Sequence, residues 1–336
     1  MARNAKSGDV VADSRVDAGS GIGDTDPVRL LLLVNGSASS VTARTRVMIQ
    51  TALARRHDVE VAMTSRRGHA SRLARGAAAT GAEVVVVLGG DGTLNEAANG
   101  LVGTDCALAA LPGGSTNVFA RTIGTPDDPL EAATTVVEAL DAGSVRPVGL
   151  GEVDGRYFLF HCGMGFDAAV VEQVERRAAL KRYAGHPLFV WSGFATWFRH
   201  YDRSGPAMAV SHRGGGVEDS YFTVVLNTDP YTYLGSRPLS LAPEATLDRG
   251  LCVVAVRTMS FGPMMRLLGN LLRGASLAED PRIHLATDLD EIEIVGHRPF
   301  PYQLDGDHLG EVSELRFNWR PEAMRLVVPL EGPASG

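Results

Sequence analysis

Four consecutive valines, Val84 to Val87, followed by Leu88 and a pair of glycines, constrain this chain more than any other stretch; residues 83–96 read EVVVVLGGDGTLNE. An apolar run without alternation reads as a strand buried on both faces of a parallel sheet, because helices cover both sides of such a sheet. Gly89, Gly90 and Gly92 then flank one acid, Asp91. Thr93 stands where a helix would begin, with Glu96 three residues further on in the manner of a capping box. A strand, a glycine turn and a helix N-terminus together make an anion site. Glycines let backbone amides approach phosphate oxygens, and the helix end adds about half a positive charge. A glycine pair after a strand is also an ordinary tight turn, but Asp and Thr in this order favour phosphate.

The same rhythm surrounds that stretch. VRLLLLVN from Val28 is a buried strand ending at Asn35, Gly36 and Ser37, and TARTRVMIQTALARR from Thr42 has helical spacing. VEVAMT stops at Thr64, a helix runs over about 69–80, and CALAALP from Cys106 ends in Pro112-Gly113-Gly114-Ser115-Thr116-Asn117 before VFARTI. Strands alternating with helices predict a parallel, three-layer α/β unit whose ligands sit beyond the carboxyl ends of the strands. Those ends carry Asn35 and Ser37, Thr64, the Gly89–Thr93 turn and Gly114 to Asn117. Each loop has a local explanation as turn or cap chemistry, yet all four converge on one edge.

Beyond a helix over LEAATTVVEAL the texture changes. VRPVGLGEV, RYFLFHCGMG, AMAVSH, SYFTVVLN, LCVVAVRT, EIEIVG and ELRFNW predict a β-rich, mostly antiparallel second domain, interrupted by helices over 166–180, 186–201 and 263–272. The expected division is a tail over 1–27, a nucleotide-binding α/β domain over 28–146, and a β-rich domain over 147–319. The closing AMRLVVPL pairs with either domain as far as its own residues tell.

Composition narrows the function. A net charge of −7, with no basic run interleaved with aromatics, argues against nucleic acid. Cys106, Cys162 and Cys252 are far apart, odd in number and set in apolar strands, which predicts buried thiols in a reducing compartment. No histidine pair has the HExxH arrangement, and residues 1–26 carry no apolar signal segment, so a cytoplasmic location is expected. Arg176, Arg177, Lys181 and Arg182 precede LFVWSGFATWF at 188–198, which is too short to span a bilayer. Such a basic and aromatic neighbourhood suits peripheral contact with the inner face of a membrane, or a core helix beside a solvated one.

No Walker A lysine or HRD and DFG set is present, so a phosphate site here relies on backbone amides, hydroxyls and metal. Phosphoryl transfer also asks for a base. PYQLDGDHLG offers Asp305 and Asp307, which on a strand would share one face, one to help hold Mg²⁺ and one to accept a proton. Asp-Gly is equally a frequent hairpin turn.

GGDGTLNE at 89–96, PGGSTNVFAR at 112–121, FHCGMGFDA at 160–168 and LDGD at 304–307 together resemble the diacylglycerol kinase catalytic-domain family, which includes bacterial diacylglycerol kinases, sphingosine kinases and ceramide kinases. The likeness covers about 28–330. It implies an ATP-dependent kinase of diacylglycerol-like or sphingoid lipids, with a nucleotide between an α/β domain and a β-rich domain, and a chain end (320–331) that returns to the first domain. It also implies a lipid substrate met at a membrane surface and leaves a homodimer open. Carried over by position, the nucleotide site falls on Asn35, Gly36, Ser37, Ala38, Ser39, Thr64, the run Gly90, Asp91, Gly92, Thr93, Leu94, Asn95, Glu96, and Ser115; the base falls on Asp307, with Asp91 as its rival. The resulting expectation is that Asp91 organises Mg²⁺ and phosphate while Asp307 takes the proton.

Three departures from the family pattern stand out. The first loop reads Asn-Gly-Ser-Ala-Ser, not Asn-Pro-x-Ser-Gly; Val118 replaces an Asp common in bacterial diacylglycerol kinases; and Arg249 stands where an Asp would hold a structural magnesium beside Thr246 and Leu251. Two other readings compete. A soluble NAD kinase shares GGDGT but fits PGGSTNVFAR poorly, and a nucleotide-binding regulator that has lost catalysis conflicts with the retention of Asp91 and Asp307.

Overall fold

The computed structural model describes residues 26–36, 38, 41–175, 202 and 204–330. The N-terminal tail, Ser37, Ser39, the basic cluster at Arg176, Arg177, Lys181 and Arg182, the helix expected over 186–201 and the aromatic stretch at 188–198 lie outside the described residues.

Strands β1 (Arg29–Val34), β2 (Asp58–Met63), β3 (Val84–Gly89) and β4 (Ala107–Pro112) form a parallel sheet in the order β2-β1-β3-β4. Every residue of β3 is buried. The reason is visible in how its side chains divide. Val85 and Val87 pack with Ala70 and Ala74 of α2 (His69–Ala79) and with Leu94 and Ala98 of α3 (Asp91–Leu101). Val84, Val86 and Leu88 pack with Ile49 and Leu53 of α1 (Ala43–Ala54) and with Ala132 and Val136 of α5 (Pro129–Asp141). Local chemistry sets the helix starts. Thr42 accepts from the Thr45 amide at 3.0 Å before α1, and Asp128 accepts from Leu130 and Glu131 at 2.9 and 3.0 Å before α5, with Pro129 in the first turn. A short α4 (Val118–Thr122) follows β4.

The second half is a β-sandwich of antiparallel strands: β5 (Val145–Val153), β6 (Arg156–Phe158), β7 (His161–Met164), β8 (Met208–His212), β9 (Gly215–Ser220), β10 (Phe222–Leu226), β13 (Leu251–Val256), β14 (Ile283–Leu289), β15 (Glu291–Leu304) and β16 (Asp307–Val327). A separate hairpin joins β11 (Thr232–Leu234) to β12 (Arg237–Leu239). Helices α6 (Phe166–Glu175) and α7 (Phe261–Arg273) complete it. RYFLFHCGMG, expected as one strand, divides into β6 and β7 around Leu159 and Phe160. Strand β16 begins in the hairpin with β15, runs beside β5, and ends parallel to β4 with Arg325 opposite Ala107 and Leu326 opposite Leu108. The closing segment therefore reaches the first domain's sheet. The three cysteines are buried free thiols.

Candidate active site between the two lobes

The centre is the turn from β3 into α3. Gly90 is the N-cap and the helix starts at Asp91, two residues earlier than the capping-box reading places it. The Gly89–Gly90 turn lies against the Pro112–Gly114 turn, backbone on backbone: the Gly113 amide donates to Gly89 O at 2.9 Å, and a Cβ at Gly113 would fall 2.8 Å from the Gly89 Cα. No side chain fits there. Asp91 closes this pair of turns, one carboxylate oxygen accepting from the Val118 amide and the other from Phe119, both at 3.1 Å. It thereby caps α4, which Val118 leaves without a carboxylate of its own. Asn117, at φ 50°, accepts from the Gly114 amide at 2.8 Å, and Asn35 Nδ2 donates to Thr93 Oγ1 at 2.8 Å. Asn35, Thr93, Gly114 and Asn117 are thus brought to one edge, with Ser115 exposed beside them.

Across from this edge stands the β15–β16 turn. A Cβ at Gly92 would lie 3.3 Å from Asp307 Oδ2, so the carboxylate hangs over the first turn of α3, whose leading amides have no helical acceptor. Arg67, from the loop before α2, meets Asp307 at 3.1 Å; both side chains keep contact with solvent, at 64% and 38% exposure. Arg67 was not among the expected site residues. Its signal was the Arg-Arg-Gly that follows Thr64 at the same sheet edge as the other loops.

Asp305 has the opposite fate. It is 3% exposed and accepts from the amides of Leu159 (2.7 Å), Phe160 (3.0 Å) and His161 (3.1 Å) and from Asn95 Nδ2 (2.7 Å). Burial pushes its carboxyl up to about 7, against the pull of those four donors. The expectation that Asp305 helps hold Mg²⁺ is corrected: Asp305 and Gly306 both have positive φ, 47° and 83°, so the step to Asp307 is a hairpin turn and its two acids face different ways. Further corrections concern residues 94–96. Leu94 is core, Asn95 also donates to Tyr157 O at 2.9 Å, and Glu96 accepts from the Gly68 and Ala70 amides of α2 at 2.7 and 3.2 Å and not from its own helix start. These three side chains tie elements together and do not line the cleft. Gly36 and Ala38 belong to the turn after β1, where the Ala38 amide donates to Asn35 O at 3.1 Å, and the Thr64 amide continues the sheet to Val34 O at 2.9 Å.

The residues expected around a structural magnesium bring no acid into the gap that Arg249 leaves. Arg249 is exposed, its amide donates to Thr246 O at 3.2 Å, Leu251 is buried in β13, and the Gly250 amide is bound to Asp288 at 3.0 Å. Among the described residues no group of three or more His, Cys, Asp or Glu side chains is placed to hold a metal ion.

Behind the turn lies a buried polar chain. Gln303 accepts from the Gly306 amide at 2.8 Å and donates to Asp167 at 2.9 Å; Asp167 in turn accepts from the Tyr231 hydroxyl. Gly163 leaves the space Asp167 occupies, since a Cβ there would fall on its carboxylate. Burial raises the Asp167 carboxyl, and burial with the neighbouring Asp167 charge raises the Tyr231 phenol. His161 lies against Tyr231 with ring centroids 4.6 Å apart and planes tilted by 35°, and burial holds its imidazole down at about 3. FHCGMGFDA contained Asp167, but nothing in the sequence around Gln303 or Tyr231 announced their part in this chain.

Comparison with known proteins places this geometry. Residues 29–153 match the family model for the diacylglycerol kinase catalytic domain, and residues 161–328 match the YegS C-terminal NAD kinase beta sandwich-like domain. The chain is 30% identical over 277 residues to a Pseudomonas putida protein named "Probable lipid kinase YegS-like", covering 82% of this chain and 87% of that one. A Pseudomonas aeruginosa protein of the same name is 29% identical over 311 residues, covering 92% and 97%. Two solved structures from Bacillus anthracis share the fold: one at TM-score 0.73 and 24% identity, covering 92% of this chain and 99% of that one, and a diacylglycerol kinase at 0.67 and 23%, covering 93% and 100%.

Proposed function

The chain belongs to the diacylglycerol kinase catalytic-domain family with a YegS-type second domain, and from that premise we propose that it transfers the γ-phosphoryl group of ATP to the hydroxyl of a diacylglycerol-like or sphingoid lipid. The observation that carries the reading is the approach of Asp307 to Gly92, which sets a solvent-reachable carboxylate over a helix N-terminus framed by two glycine turns. Helix N-termini and glycine loops hold phosphates through backbone amides. Such transfer is mostly positioning and charge stabilisation. In this arrangement the triphosphate lies along the first turn of α3 beside Asn35, Thr93 and the Gly114–Asn117 loop. The lipid hydroxyl oxygen bonds to the γ-phosphorus, the bond from that phosphorus to the bridging oxygen breaks, ADP leaves, and the hydroxyl proton passes to Asp307. Arg67 orients Asp307 and meets the charge that spreads over the transferred group.

Asp307 is favoured over Asp91 as base because both Asp91 oxygens already accept backbone amides. The residues expected to hold Mg²⁺, Asp91 and Asp305, do not present open carboxylates toward one point.

The test is transfer of labelled γ-phosphate from ATP to a panel of diacylglycerols, sphingoid bases and NAD, with Asp307→Asn as control. Product on a lipid, lost about 10²–10⁴-fold in the variant with nucleotide affinity retained, is the expected result. Product on NAD alone would move the chain to the soluble kinases; tight ATP binding with no product on any acceptor would make it a regulator.

A further inference from the structure

The β11–β12 hairpin touches both the first lobe and the groups that support the candidate base. Among the described residues its two strands pair only with each other, so side chains and not the main sheet set its place. A hairpin of this size holds little shape by itself. At its base the Tyr231 amide donates to Leu239 O at 3.0 Å, and the Tyr231 hydroxyl donates to Asp167. Towards its tip the Arg121 side chain, 14% exposed, lies 3.7 Å from the centre of the Tyr233 ring, donates to Gly235 O at 3.0 Å and meets Asp127 at 3.3 Å. Arg121 stands in the last turn of α4, the helix whose first amides Asp91 holds and which follows directly on the Gly114–Asn117 loop.

We infer that this hairpin sets the position of Asp307, with Tyr231 and Arg121 as positioning residues at its two ends. The hydrogen bonds that carry the effect run in one sense. The Gly306 amide can only donate, so Gln303 turns its oxygen to Gly306 and its NH₂ to Asp167, and Asp167 accepts both from Gln303 at 2.9 Å and from Tyr231. Gln303 is fully buried and Asp167 is 8% exposed, so neither can turn round without leaving a polar group unpaired. The anchored amide lies one residue before Asp307, at a glycine with φ 83° whose own backbone is the least restrained in the turn. The other end of the hairpin is held by α4. One element behind the cleft therefore fixes the carboxylate over Gly92 relative to the Gly114–Asn117 loop. Reacting groups lose rate steeply when displaced by about an ångström, and it is the supports behind them that set the displacement. The consequence for rate rests on Asp307 being the base; the restraint on the turn does not.

The experiment compares the full chain with Tyr231→Phe, Arg121→Met and their combination. Hydrogen exchange at residues 304–308 is measured without substrate, and kinetics with ATP and lipid well below the unfolding midpoint. Tyr231→Phe keeps the ring against His161 and removes only the donor to Asp167. Exchange at the Gly306 amide is expected to rise by about tenfold or more in each single variant. kcat is expected to fall by about tenfold, with KM for ATP within about twofold. Because both substitutions cut the same support, the double variant is expected to fall short of the product of the two single effects. A merely structural role would lower the unfolding midpoint and raise exchange throughout the lobe while leaving kcat unchanged. Unchanged exchange at Gly306 in Tyr231→Phe, a loosened turn with wild-type kcat, or single effects that multiply in full would each overturn the inference. If Tyr231→Phe does not fold, Arg121→Met carries the same test from the first lobe, and Arg121→Lys, which keeps the charge but not the flat contact with Tyr233, is expected to keep part of the rate that Arg121→Met loses. Should the wild type phosphorylate no lipid, a turn that loosens in both variants keeps the placement of Asp307 by the hairpin and removes the kinase reading; a turn that loosens in neither removes this inference.

Discussion

Asp305 and Asp307 are separated by one glycine, yet one is held by three backbone amides and the Asn95 side chain and the other faces the cleft. Their spacing is legible in the sequence, but their orientation is not, because a step of two means one face on a strand and two faces in a hairpin with positive φ at Asp305 and Gly306. What keeps the exposed acid in place is Gln303, the side chain that accepts from the Gly306 amide while held by Asp167. Gln303→Leu would take the acceptor from the half-buried Gly306 amide and one of two donors from the buried Asp167, which keeps Tyr231, at a cost of about 1–3 kcal/mol. Turnover is expected to fall while nucleotide affinity stays within about twofold, read by kinetics and by ATP titration. His161 gives a pH prediction. Its folded pKa, about 3, lies below its unfolded value, so between those values the unfolded chain binds a proton that the folded one excludes, and stability is lost as pH falls below the unfolded pKa. At pH 5 the loss is about 2 kcal/mol. Asp305, raised to about 7, contributes the opposite slope over part of that range, so the measurement is the difference in denaturant midpoint between wild type and His161→Phe from pH 7 to 5. The variant keeps the ring against Tyr231 and is expected to resist acid better.

At the level of elements, the parallel unit was readable because Leu30–Val34, β3 and β4 are apolar and buried throughout and each strand is followed by a helix, while β2 at the edge is only partly buried. Val84 to Leu88 needed no register argument, since both faces are covered. Strand β14 was missed because only Ile283 is fully buried, the rest runs from half-buried to exposed without alternation, and Asp288 lies near the end, a weak signal at a sheet edge. The start of α3 was misplaced for a different reason. GGDGT looks like a loop with Thr as cap, whereas Gly90 caps with its backbone alone and Glu96 reaches across to α2. That reach makes α2 depend on α3: Glu96→Ala is expected to lower the unfolding free energy by about 1 kcal/mol, measured by urea denaturation, through two lost acceptor contacts at an N-terminus that has no side-chain cap of its own. Gly113→Ala acts on the other side of the same turn. Its Cβ has no space against Gly89, so separation of the two glycine loops, loss of stability and weakened ATP binding are expected together.

The two lobes are one molecule because single elements belong to both. Asn95, on a helix of the first, holds Asp305 and Tyr157 O of the second; Arg121 of α4 lies 3.7 Å from the centre of the Tyr233 ring and donates to Gly235 O in the β11–β12 hairpin. Strand β16 does most, starting at Asp307 in the cleft and finishing at Val327 beside β4, where Met324 and Leu326 sit in the same core as Val85, Val87 and Leu108. The polypeptide that presents the candidate base therefore also closes the first lobe's sheet, and the cleft cannot keep its geometry if that edge opens. Leu326 is fully buried, so Leu326→Ala is expected to cost about 2–5 kcal/mol. The consequence that distinguishes this architecture is where that cost appears. If β16 couples the lobes, the variant lowers the midpoint of a single transition, and probes in each lobe, such as Cys106 labelling in the first and Cys252 labelling in the second, shift together. Two separate transitions, with only Cys106 exposed early, would mean that the lobes fold independently and that β16 is a tether without a part in holding Asp307 over α3.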